Sequence, residues 1–144
     1  INTPLPNREE YLNSEKFQIT HYDWNIKNNL ITLITKINKV RQAEEALQQT
    51  NNIRFCHIEN DNLIAFYKWN DSKSSEILVI INLDVYNTQN GSMQLPLSEI
   101  KAVESGRPIQ VYDFISGHSY NWYDEWCYIE LQADQPLHIF KINK

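Results

Sequence analysis

Between residues 29 and 48 the apolar side chains Leu30, Leu33, Ile34, Ile37, Val40 and Leu47 recur at steps of three and four, with Lys36, Lys39, Arg41, Glu44 and Glu45 mostly between them. That period predicts an amphipathic helix of about five turns over 29–48. It is expected to stop in Gln48-Gln49-Thr50-Asn51-Asn52, whose side chains compete for backbone hydrogen bonds. After Asn52 the period changes to two. Residues 53–58 and 62–69 flank the turn Glu59-Asn60-Asp61 and read as a hairpin. Residues 77–83 are apolar at nearly every position, so they belong in the middle of a sheet that is covered on both faces. Further short strands are predicted at 92–95 after Asn90-Gly91, and at 109–114, 120–123, 126–131 and 137–142. Strands this closely spaced, punctuated by Gly, Asn and Asp, predict a mainly β protein: an antiparallel β-sandwich preceded by one long amphipathic helix.

Residues 1–27 fit neither pattern. They are polar and irregular, yet carry Tyr11, Phe17, Tyr22 and Trp24, which need something to pack on. With 144 residues the chain is the size of one domain with a real core. A net charge of -5 with dispersed Lys and Arg argues against a nucleic-acid surface. No apolar run approaches the roughly 20 residues of a membrane helix, and the start Ile1-Asn2-Thr3 is neither a signal peptide nor an initiator. A trimmed chain or an excised piece of a longer protein is the expectation. Cys56 and Cys127 are too few for a disulfide framework and read as reduced core residues.

Candidate chemistry is sparse. Asp84, Asp113 and the Asp124-Glu125 turn are the acidic positions worth testing as a glycosidase-type carboxylate pair. Their places at strand ends and turns suit the capping of backbone N–H groups instead. His21, His57, His118 and His138 lack metal-ligand spacing, so no metal site and no cofactor are expected. Cys56 and His57, adjacent on a strand, point to opposite faces and cannot pair as thiolate and imidazole. On 126–131, alternation turns Cys127, Ile129 and Leu131 toward the core and Trp126, Tyr128 and Glu130 outward. Trp126 and Tyr128, joined by Trp122 across the intervening turn, form a candidate sugar-stacking patch. The competing reading covers this patch with the helix or with another domain.

Three segments carry a resemblance. Glu9-Glu10-Tyr11-Leu12-Asn13-Ser14-Glu15-Lys16-Phe17, the helix with Leu33-Ile34-Thr35-Lys36-Ile37-Asn38-Lys39-Val40-Arg41, and Leu78-Val79-Ile80-Ile81-Asn82-Leu83-Asp84 together resemble the C-terminal region of the α-amylase family (glycoside hydrolase family 13). The tail, with Tyr120-Asn121-Trp122, Trp126-Cys127-Tyr128-Ile129-Glu130-Leu131 and Pro136-Leu137-His138-Ile139-Phe140, is similar to the same region. Within it the likeness runs to the α-1,4-glucan:maltose-1-phosphate maltosyltransferases. The resemblance implies that 1–52 is the end of a catalytic (β/α)8 barrel, including its last helix, and that 53–144 is the C-terminal β-sandwich domain. It implies a cytoplasmic parent enzyme acting on α-glucan, whose catalytic acids lie in segments this sequence does not contain, so the chain alone is expected to turn over nothing. Its partner is then the barrel of the same parent chain. The family's donor-phosphate pair, Lys-Tyr, falls on Lys16 and Phe17, where the second residue lacks the hydroxyl. A carbohydrate-binding module gripping α-glucan through Trp122, Trp126 and Tyr128 is the rival reading.

Overall fold

The computed structural model describes residues 29–100 and 107–143, with residues 6, 7, 19, 21 and 23–25 ahead of them. A helix, α1 (Asn29–Ala43), is followed by a 3-10 turn (Glu45–Leu47) and eight strands: β1 (Ile53–Cys56), β2 (Leu63–Trp69), β3 (Glu76–Asn82), β4 (Gln89–Gln94), β5 (Ile109–Asp113), β6 (Ser119–Trp122), β7 (Trp126–Leu131) and β8 (Leu137–Asn143). Six strands form one sheet in the order β1-β2-β3-β8-β5-β6, while β4 and β7 form a two-stranded second sheet. Each paired neighbour is antiparallel. The expected helix plus antiparallel sandwich is the observed fold.

The strand read as covered twice is β3. Leu78 and Ile80 face the small sheet, in a cluster with Tyr67, Met93, Val111, Cys127, Ile129, Leu131 and Phe140. Ile77 and Val79 face the other way, in a second cluster with Val40, Ala46, Ile115 and Ile139 against which Leu33, Ile37 and Leu47 pack. Two faces of one strand therefore close two separate cores. At about 25 cal/mol per Å² of buried apolar surface, such a strand contributes to stability through both of its faces.

The helix is shorter than its periodicity predicts. It ends at Ala43 because Glu44 takes an extended backbone, φ -106 and ψ 110, and turns its side chain inward. There the buried carboxylate accepts from Ser75 Oγ at 2.7 Å and from Lys141 Nζ at 2.6 Å. Leu47 keeps its place on the apolar face through the 3-10 turn, so its spacing imitates a continuing helix. The helix is tied down again where Lys36 Nζ donates to the Ile115 carbonyl at 2.5 Å.

Two strand boundaries also differ from expectation. Asn90-Gly91 lies inside β4 rather than before it, with Gly91 opposite Ile129; a Cβ there would come within 3.2 Å of the Asn60 side chain. The predicted 53–58 strand breaks at Cys56, and Ile58 crosses to bridge Met93 of the small sheet. That crossing stitches the two sheets together.

Candidate functional site

The second sheet is four strands narrower than the first, so it cannot cover the whole inner face of its partner. The shortfall is at β6. Register places Tyr120 opposite Val111 and Trp122 opposite Ile109, both members of the core cluster, which turns the two rings of β6 to the inner face. β8 contributes His138 and Phe140, opposite Ile80 and Leu78 on the same face. Phe140 is buried and has three rings around it: Trp122 at 5.0 Å and Tyr120 at 5.9 Å between centroids, both edge-on, and His138 tilted at 5.1 Å. Tyr128 and Glu130 of β7 close the other side, giving a cavity of about 170 Å³. The Tyr128 hydroxyl donates to Glu130 Oε2 at 3.0 Å, which raises the pKa of the phenol.

Beneath the cavity is a buried carboxylate hydrogen-bonded to an imidazole. Asp113, at the end of β5, accepts from the backbone N–H groups of Ile115 and Ser116 at 3.0 Å and of Ile139 at 3.2 Å. His138 Nδ1 lies 2.8 Å from its Oδ2. Burial pushes the Asp113 carboxyl up, but the hydrogen bonds from His138 and the Ser116 turn outweigh it and hold the carboxyl well below the ordinary carboxylate range. The ionised carboxylate accepts a hydrogen bond from Nδ1–H, and Nε2 of the ring then faces β7, 3.4 Å from the Glu130 carbonyl oxygen.

The structure separates the predicted stacking patch. Trp122 and Tyr128 share the cavity, whereas Trp126 leaves it and packs edge-on against His57 at 5.7 Å. Tyr128 is two-thirds exposed and Trp126 is 43% exposed, on the outward face of β7 that alternation assigned to them. Lys16 and Phe17 lie outside the described residues, as do Tyr11 and Tyr22; Trp24 is described and exposed. Among the described residues no three His, Cys, Asp or Glu side chains come together in a way that would hold a metal ion. No helix among them is long and apolar enough to cross a membrane.

Asp84 and Asp113 do what strand-end carboxylates commonly do. Asp84 accepts from the N–H groups of Tyr86 and Asn87 and from the Asn87 and Gln89 amides, which lowers its pKa to about 2. Glu125 accepts from the Gln94 amide at 2.7 Å. Sequence reasoning missed Tyr120, His138 and Phe140 as partners of Trp122. Their one signal was spacing: Tyr120 with Trp122 and His138 with Phe140 are each two apart, and so share a face on their strands.

With this geometry in place, comparison with known proteins decides the family. The family described as "GLGE, C-terminal" matches residues 55–142. The chain belongs to that family. Among relatives similar over nearly the whole chain, an alpha-1,4-glucan:maltose-1-phosphate maltosyltransferase of Chlorobaculum tepidum is 37% identical over 99% of this chain and 22% of its own length. One from Methylacidiphilum infernorum is 32% identical over 100% and 22%, and one from Picrophilus torridus 35% identical over 99% and 22%. The chain thus spans about a fifth of the length of these relatives. Among solved structures, an alpha-amylase from Geobacillus thermoleovorans complexed with acarbose superposes with a TM-score of 0.62 over 85% of this chain and 25% of that one, at 15% identity. An Anoxybacillus alpha-amylase does so at 0.56 over 83% and 24%, at 16% identity. These likenesses show the fold, that of the all-β domain of α-amylase-type enzymes. The stretch that defines the family takes in both sheets, the Asp113–His138 pair and every side chain of the cavity.

Proposed function

We propose that this chain is the non-catalytic C-terminal domain of a cytoplasmic maltosyltransferase acting on α-1,4-glucan, and that residues 53–144 support a catalytic barrel whose end is formed by residues 1–52. The observation that carries this reading is the family match over residues 55–142 together with relatives of which the chain spans only 22%. A physical feature agrees with it. Leu30 and Ile34, one turn apart on α1, stay exposed while Leu33, Ile37 and Val40 pack on the sheet. An apolar pair on the outer side of a helix suits a second surface lying across it. Catalytic acids belong to the barrel in this reading. The donor phosphate is assigned by resemblance to Lys16, with Phe17 beside it unable to donate.

A chimera tests the proposal. The corresponding C-terminal fifth of the Chlorobaculum tepidum relative is replaced by this chain, and maltosyl transfer from maltose 1-phosphate to maltoheptaose is followed by phosphate release. The chimera is expected to be active, and the isolated chain inactive. Leu30→Ser with Ile34→Ser should lower the melting temperature of the chimera while leaving that of the isolated chain nearly unchanged. Turnover by the isolated chain, or a chimera no better than the truncated relative, overturns the reading.

A further inference from the structure

We infer that the cavity bounded by Tyr120, Trp122, Tyr128, Glu130 and His138 over Phe140 is a binding subsite for one end of an α-glucan chain. The pyranose class follows from the walls. Carbon-bound hydrogens on one face of a sugar ring carry partial positive charge and suit the negative faces of Trp122, Tyr120 and Tyr128. Sugar hydroxyls need directed partners at the rim, and the cavity supplies them in the Glu130 carboxylate, the Tyr128 phenol and His138 Nε2. Asp113 positions that imidazole from below, at 2.8 Å, so the ring does not have to be ordered when a ligand arrives.

Size restricts the occupant. At about 170 Å³ the cavity is smaller than the roughly 300 Å³ and upward of drug-sized pockets, so it takes one ring and leaves the remaining units in solvent. A single partly exposed ring makes few contacts to offset the cost of association, so it binds weakly. Weak retention of this kind suits a site that keeps a polymer near an enzyme without holding its product. The choice of α-glucan over other glycans rests on the proposed function; the presence of a sugar subsite rests on the cavity alone.

Calorimetric titration of the 144-residue chain with maltoheptaose, and with cellohexaose as control, tests this. Tyr128→Ala and Glu130→Gln sit on the solvent face of β7, so the fold is retained, and circular dichroism melts verify it. Trp122→Ala is avoided because Trp122 packs on the core. Saturable maltoheptaose binding that weakens about tenfold in each of the two variants, and is unchanged by Trp126→Ala, is the expected result. Absence of saturable binding, or loss on Trp126→Ala with Tyr128→Ala neutral, overturns the subsite. Binding of cellohexaose in preference to maltoheptaose overturns the α-glucan assignment. The titration needs no barrel, so an inactive chimera leaves it standing, and an active chimera with a non-binding domain removes only the subsite.

Discussion

Replacing Asp113 with Ala should be among the most damaging single polar substitutions in the sandwich. The carboxylate has no exposed surface and gathers four donors: the N–H groups of Ile115, Ser116 and Ile139 and the His138 ring, at 3.0, 3.0, 3.2 and 2.8 Å. A hydrogen bond to a charged group is worth about 1.5–3 kcal/mol, but Ser116 and His138 reach solvent and recover part of theirs from water. The net loss is then about 3–4 kcal/mol at neutral pH, a drop in melting temperature of roughly 10 °C for a domain of this size. The pH dependence has a definite sign. The Asp113 pKa is depressed in the folded chain, so its contribution is complete above the unfolded value near 3.9 and drains away as pH falls through the folded value, by about 1.4 kcal/mol per unit. Urea titrations followed by tryptophan fluorescence, run on wild type and Asp113→Asn at pH 7 and pH 3, isolate this term because Asp84 is common to both. The gap between the two proteins should narrow by about 1 kcal/mol at pH 3. A gap that does not change with pH, or an Asp113→Ala loss below about 1 kcal/mol, would refute the argument.

Two further outcomes follow from buried groups elsewhere. Lys141→Met leaves the buried Glu44 carboxylate with the Ser75 hydroxyl but without its cation, and should cost about 2 kcal/mol by chemical denaturation, the half-exposed lysine keeping the value below that of a fully buried pair. Adding Glu44→Gln should return part of it, since the uncompensated charge is then removed. Burial pushes the thiols of Cys56 and Cys127 up to about 11 and about 12, so neither should react appreciably with a disulfide reagent at pH 8 until the chain unfolds. Fast labelling of the native chain would contradict the packing described for β1 and β7.

The chemistry at the acidic positions was legible because it is local. An aspartate at a strand end meets backbone N–H groups two or three residues ahead, as Asp84 meets those of Tyr86 and Asn87. The same locality hid the end of α1. Glu44 leaves the helix to meet Ser75 and Lys141, 31 and 97 residues away, and no periodicity within 29–48 records such partners. Trp126 stands apart from Trp122 and Tyr128 for a related reason. Alternation says which face of β7 a side chain takes, and was right, but the neighbour across that face is His57, whose chain crosses from one sheet to the other at Ile58.

Sequence alone determined the elements, the two-sided burial of β3 and the in-and-out order along β7, because period and side-chain alternation are properties of a few consecutive residues. It also carried the family resemblance, through motifs that are contiguous. Only the tertiary structure decided that the second sheet has two strands against six, that β6 is therefore left uncovered, and that Tyr120, Trp122, His138 and Phe140 meet there beside Tyr128. Strand order and sheet width depend on pairings between distant segments, and a cavity is what remains when two such surfaces fail to match in area.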